Sequence, residues 1–217
     1  MNVPSILLAV LSGLLYVGAY LDYIRKVLAG RTAPNGATWA IWSAIALVSF
    51  STYVIASGDL WKSILPLINI ALCLTTFILA LCCGKFRKLD VPDWVALALA
   101  LTAVVVWKLS TAAYANMIVQ VAIAIGFMPT WKAVRRDPFC EHPQPWWMWS
   151  SSYCIALLVV FLRWRDQWID VLMPINCILL HASVPVLALI QQRRMIAAAA
   201  YERPSVAVYS GASSSPK

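Results

Sequence analysis

The chain has 217 residues, of which 62% are hydrophobic and 12% charged, against about 45–50% and 25% for an ordinary soluble domain. That composition excludes a water-soluble globule. It also excludes general disorder, which combines low hydrophobicity with high charge. What remains is a polytopic membrane protein of the all-α class, whose net charge of +8 must be explained by where the basic residues sit.

A bilayer core about 30 Å thick asks for about 20 apolar residues per helix. In chain order the spans are expected at Val3–Tyr20, Thr38–Ala56, Trp61–Cys83, Asp93–Thr111, Ala113–Val134, Pro145–Leu162 and Asp170–Gln192. The first span lacks a basic leading segment, and its first charges, Asp22 and Arg25, follow the apolar run; it is therefore read as a helix rather than a cleavable signal. The residues from Arg193 onward turn from basic and alanine-rich to serine- and glycine-rich after Pro204, a composition that suits a partly disordered tail.

Alternate loops divide the 17 basic residues unevenly. Thirteen, including Arg25, Lys26, Arg31, Lys85, Lys132, Arg136 and Arg193, fall on one side, whereas Lys62, Lys108, Arg163 and Arg165 fall on the other. By the positive-inside rule the rich side is cytoplasmic, with the N-terminus outside and the C-terminus inside. The basic balance then reflects membrane insertion, and nucleic acid is not expected as a partner. Short loops and the lack of a recognisable targeting segment favour a bacterial inner membrane.

Cysteines at 73, 82, 83, 140, 154 and 177 form no C-x-x-C pair and stand near no histidine at zinc-finger spacing. Inert packing is the reading for them, and neither a metal nor another cofactor is expected. A nucleophile and base pair, a phosphate loop and a zinc helix motif are likewise missing, so the chain is not expected to be an enzyme.

Sliding the chain by 107 residues superposes Trp39 on Trp146, Trp42 on Trp149, Ser43 on Ser150, Asp59 on Asp166, Trp61 on Trp168, Leu65 on Leu172 and Asn69 on Asn176. This internal repeat maps the first three spans onto the last three and leaves the fourth as a linker. The units start four spans apart, an even number, so the repeat is parallel and its pseudo-twofold axis runs along the membrane normal. The expected units are 1–83, a linker 84–111, 112–192 and the tail 193–217.

Three spans, an inverting linker and three more, each unit with a Pro/Gly-rich turn after its first helix, resemble the SWEET sugar transporters and the wider PQ-loop superfamily. Leu21–Lys26 and Met128–Thr130 stand where that family carries its proline-glutamine motif, and Pro129 is the proline of the second copy. The closer match is Leu65–Asn69 with Met173–Asn176, because the family has one substrate-facing asparagine in the third helix of each half. About sixteen positions before it the family places an aromatic residue, here Tyr53 in the first half and Val160 in the second. The resemblance implies a sugar as the transported solute.

The residues make their own case. Asn69 lies eight residues into its span, about 12 Å from the outer end, and Thr76 follows on the same helical face; Asn176 and Ser183 repeat the spacing. Two such stripes can form a hydrogen-bonding cavity, or they can hold helices together at about 0.6–2 kcal/mol per contact. Gln120 and Asn116 in the fifth span have no polar repeat mates, so Gln120 is a candidate for orienting a chiral solute. His181 reads as a hydrogen-bonded core residue, a proton relay being the alternative.

Most of the 11 tryptophans mark span ends as an aromatic belt. Trp42 and Trp149 reach deepest and are the candidate inner gate. Pro66, Pro129, Pro174 and Pro185 fall inside spans, and the first three are taken as hinges. All nine acidic residues lie at span ends, in loops or in the tail, so a carboxylate that carries a coupling ion at midmembrane is absent. The expectation is a facilitator working by alternating access on a small neutral polar solute, most readily a sugar. A vitamin, nucleoside or amino-acid carrier of the same architecture is the alternative, and a receptor or assembly protein on the same scaffold is the reading from a different class. The expected partners are the solute and the lipid bilayer, with self-association left open.

Overall fold

The computed structural model describes residues 3–32, 34, 36–83 and 88–210, with side chains described as far as residue 198 except that of Cys83. The described residues form helices and connecting turns: α1 Val3–Leu28, α2 Gly36–Ser57, α3 Ile64–Cys83, α4 Val91–Leu109, α5 Ala112–Gly126, α6 Met128–Arg136, α7 Pro143–Leu162 and α8 Ile169–Ser210. With α5 and α6 taken as one interrupted span, seven are long and apolar enough to cross a membrane.

These helices are inverted relative to those of a soluble bundle. Along α1 the buried face reads Ser5, Ala9, Ser12, Tyr16, Ala19, Tyr20 and Tyr23, whereas Leu7, Leu11 and Leu14 on the opposite face are more than half exposed. Leucine is as well solvated by lipid tails as by other leucines, so the inner face is left to small and hydrogen-bonding residues that let backbones approach. Ser12 Oγ accordingly donates to the Ser152 carbonyl across the α1/α7 contact at 2.9 Å. The α4/α5 contact follows the same rule, with Ala96, Ala100 and Ala103 facing Ala115, Val119 and Ala122.

Helix α3 packs against α1 and α2, and α8 packs against α5, α6 and α7. The long contacts α1/α7 and α2/α5 join these two groups, and α4 lies against α5 and α2. One end of the bundle carries the start of α1 and the α2–α3 and α7–α8 turns; it is called the ion-pair end below. The opposite end, where α2 and α7 begin among tryptophans, is called the aromatic end.

Several boundaries differ from the sequence expectation. Helix α1 runs eight residues past Tyr20, because Asp22 and the buried Lys26 pair one turn apart along it and the helix closes in a Schellman turn. There Arg31 N donates to the Lys26 carbonyl and Gly30 N to that of Val27, with Gly30 at φ 69°, a conformation that glycine adopts without steric cost. Helix α3 starts at Ile64 rather than Trp61. Asp59 holds the preceding turn, its Oδ1 accepting from Trp61 N at 3.0 Å and its carbonyl from Ser63 Oγ at 2.9 Å.

The fifth span breaks at Phe127, two residues before Pro129. The proline ring cannot donate to the Ile125 carbonyl and crowds it; Trp42 Nε1 reaches the neighbouring Gly126 carbonyl at 3.4 Å. Pro66, expected to kink its helix, is instead the third residue of α3, where a missing N–H has no intrahelical acceptor to lose. Pro174, Pro185 and Pro204 are the described prolines that interrupt hydrogen bonding inside a helix, all in α8.

Candidate functional site

Helix α1 presents Tyr16, Tyr20 and Tyr23 on its buried face, α2 brings Trp39 and Trp42, and α7 brings Trp146 and Trp149. The i, i+3 spacing of each tryptophan pair sets both rings on one face, and the two helices turn those faces toward α1. Trp149 packs 4.9 Å from Tyr20 and 5.1 Å from Trp146, centroid to centroid. Tyr23 packs 5.5 Å from Trp39. Such tilted and edge-on pairs are the favoured aromatic geometries.

These rings wall a cavity of about 280 Å³ at the aromatic end. Its rim carries the exposed Lys132 and Arg136 of α6, together with Asp90 and Glu141. Asp90 pairs with Lys132 at 3.4 Å, and Glu141 accepts from Trp146 Nε1 at 3.2 Å. Burial pushes the Glu141 carboxyl up to about 7, and the Trp146 hydrogen bond offsets only part of that effect.

A second, smaller cavity of about 40 Å³ lies deeper, lined by Tyr16, Ser49, Pro66, Asn69, Met173 and Cys177 among others. Trp42 and His181 border both cavities. Phe127 stands between them, 4.7 Å from the Trp42 ring and 5.2 Å from His181. His181 Nδ1 lies 2.7 Å from the Cys177 carbonyl. Since that carbonyl can only accept, Nδ1 carries the proton and Nε2 is the unprotonated nitrogen of the neutral ring.

The asparagines occupy matching places with different partners. Asn69 Oδ1 accepts from Tyr16 at 2.8 Å and Tyr20 at 2.9 Å, so the amide is held by α1 while the residue lines the inner cavity. Asn176 instead donates through Nδ2 to the Gln120 carbonyl at 3.1 Å and to Gln120 Oε1 at 3.0 Å. Gln120 Nε2 donates to Asn116 Oδ1, and Asn116 Nδ2 to Thr52 Oγ1 at 3.0 Å. The result is a buried relay from α8 through α5 to α2. The structure thus brings Gln120 and Asn176 together, away from the inner cavity wall that Asn69 forms.

The other candidates are spread along the bundle. Thr76 is buried and bonds its own helix at the Leu72 carbonyl; Ser183 accepts from Trp131 Nε1 at 2.7 Å. Tyr53 is fully buried near the ion-pair end and donates to the Asp170 carbonyl at 3.1 Å, a helix-to-helix tie remote from either cavity. Trp42 stands at the constriction between the cavities, and Trp149 lines the outer one.

The ion-pair end is closed by charges that the sequence reading did not single out as a unit. Lys62 Nζ meets Asp170 Oδ2 at 2.5 Å, both side chains fully buried. Arg163 Nε meets Asp59 Oδ2 at 2.8 Å, and Arg163 also donates to Ser5 Oγ at 3.2 Å. Burial acts to raise the Asp59 pKa, but the hydrogen bond and positive charge of Arg163 outweigh it and hold the carboxyl below its ordinary value. Each pair joins the α2–α3 turn to the α7–α8 region, so the two cross-links clamp the halves of the chain at this end.

Comparison of the chain with family models, curated proteins and solved structures finds no match. The residues that sequence reasoning passed over, Tyr16, Tyr20, Tyr23 and Glu141, do carry a signal in the case of the tyrosines, whose i, i+4, i+7 spacing places them on one face of α1. Glu141 carries none, since its place at the cavity rim depends on how the α6–α7 turn folds back.

Proposed function

We propose that this protein is a membrane facilitator that moves a small neutral polar solute by alternating access. The observation that carries the reading is one asymmetry: a solute-sized cavity at the aromatic end that shares Trp42 and His181 with a smaller one beside Asn69, set against an opposite end cross-linked by the buried Lys62–Asp170 pair and by Arg163–Asp59. A site accessible from one side, with a closure whose parts belong to both halves of the chain, is the arrangement that rocking repeats require. The matching partnerships of α3 and α8 support the reading of two three-helix units about a linker, α4.

In this reading the aromatic end faces the cytoplasm, in keeping with the basic residues there, and the conformation faces inward. Solute enters past Trp149, passes the Trp42, Phe127 and His181 rings and reaches Asn69. Parting of the Lys62–Asp170 and Arg163–Asp59 pairs opens the other end, with α8 flexing at Pro174 and Pro185. The carboxylates on this path, Glu141 at the cavity rim and the paired Asp59 and Asp170 at the other end, stand at the ends of the bundle rather than at its middle, so the solute runs down its own gradient. The resemblance to sugar carriers makes a hexose the first solute to test.

Flux of labelled solute into proteoliposomes, measured for the parent and for Asn69→Ala and Asn176→Ala singly and together, tests the site. Asn69→Ala is expected to lower uptake at least tenfold in a variant that still folds. Asn176→Ala acts through Gln120 and is expected to lower thermal stability more than it alters solute affinity. Unchanged uptake in the double variant would refute the site. Binding without flux would instead favour a receptor.

A further inference from the structure

The chemistry of the outer cavity names a solute class, on the transport reading of the same site. Its inner walls are rings: Tyr20, Tyr23, Trp39, Trp42, Trp146 and Trp149. The polar atoms among them are few, and most are already engaged. Trp146 Nε1 is held by Glu141 and Trp42 Nε1 by the Gly126 carbonyl. Trp149 is the exception. It is 2% exposed, and its Nε1 has no hydrogen-bond partner among the described residues. A buried donor left unmade costs about 1–3 kcal/mol, so it is retained at a cost that a ligand acceptor can remove. Beside it, 5.8 Å from ring to ring, stands His181, with Nδ1 occupied and Nε2 left as an acceptor.

We propose that the solute is a flat nitrogen heterocycle of one or two rings rather than a sugar, lying against the ring faces that line the cavity and accepting a hydrogen bond from Trp149 Nε1. A donor and an acceptor side by side match one edge of such a ring, where a ring nitrogen or carbonyl neighbours an N–H, and the ring's two faces satisfy the aromatic walls. A hexose carries five hydroxyls, each of which needs a partner when desolvated. The inner walls offer too few, and the charged groups at the rim include the already paired Asp90 and Lys132.

The experiment is calorimetric binding of adenine, nicotinamide and glucose to the purified protein and to Trp149→Phe, which keeps a ring but removes the N–H. Adenine or nicotinamide is expected to bind the parent, and about tenfold more weakly the variant, while glucose does not bind. As a measurement that leaves Trp149 intact, Ala133→Cys at the exposed cavity rim is labelled with maleimide; the heterocycle should slow labelling and glucose should not. Flux of the same probes into proteoliposomes separates the two readings. Glucose bound and carried with no heterocycle bound overturns this inference and leaves transport standing. Heterocycle bound but not carried keeps the site and removes transport. Absence of heterocycle binding at millimolar concentration overturns the inference, as does full affinity in Trp149→Phe.

Discussion

Glu141 shows how a single side chain acquires a property that its neighbours in sequence do not suggest. A glutamate in an exposed turn titrates near its ordinary value, but here the turn folds back against Tyr23 of α1 and Trp146 of α7, and burial raises the carboxyl to about 7. A group whose folded pKa is raised supplies stability that is fully present below its unfolded pKa and is lost as pH rises through the folded value. The parent should therefore lose apparent melting temperature between about pH 5 and pH 8 relative to Glu141→Gln. The difference between variant and parent should be larger at pH 8. A constant difference across that range would place the carboxyl in water. The asparagines give the complementary lesson: Asn69 and Asn176 stand 107 residues apart, in step with the matching tryptophans, yet one is held through its oxygen by tyrosines and the other through its nitrogen by glutamine.

At the scale of elements, hydrogen bonds and ion pairs decide which helices stay together, because lipid provides no hydrophobic drive for helix association. The α3 and α8 starts are joined by Lys62 and Asp170, both with fully buried side chains, and one Asp170 oxygen has no hydrogen-bond partner among the described residues. Removing one member of such a pair strands the other charge. Lys62→Met alone should destabilise the protein by about 3–5 kcal/mol, whereas Lys62→Met with Asp170→Leu should recover most of that loss, because the desolvation cost of both charges disappears. Unfolding in mixed micelles with increasing denaturant reads both values. Equal stability of the single and double variants would show that water reaches the pair. The helix interruption at Phe127 belongs to the same scale, since Pro129 withholds one backbone bond and Trp42 reaches the carbonyl next to the break.

At the scale of the whole molecule the ends of the bundle are unequal: one is cross-linked by charges, and the other is lined by rings and hollow. If the charges are a closure, weakening them should populate a conformation open at that end. Spin labels on the exposed Leu60 and Trp168, which flank the two turns, are expected to give one short distance in the parent. A longer component should appear when Asp59→Asn is combined with the Lys62→Met and Asp170→Leu exchange. An unchanged distribution would mark the pairs as static cross-links. Occupation of the outer cavity by solute should restore the short distance, since a ligand that prefers one state draws the population toward it.

Seven apolar stretches, the excess of basic residues on alternate loops and the residue matches at an offset of 107 were legible in the chain itself, because membrane insertion acts on local composition and those matches involve rare residues. Helical spacing likewise put Trp39 with Trp42 and Trp146 with Trp149 on shared faces, but that those faces border a cavity depends on how the helices pack. Span ends were less legible: Asp22 and Lys26 read as the end of a helix but pair along it, and Asp59 reshapes the turn before α3. What the tertiary structure alone decided is which polar groups meet across helices. Gln120 bonds Asn176, Lys62 bonds Asp170 across 108 positions, and Tyr53 is tied to α8. Those partnerships depend on the rotation of each helix about its own axis, which in lipid is set by a few directional contacts rather than by an apolar stripe, and so leaves little trace in the order of the residues.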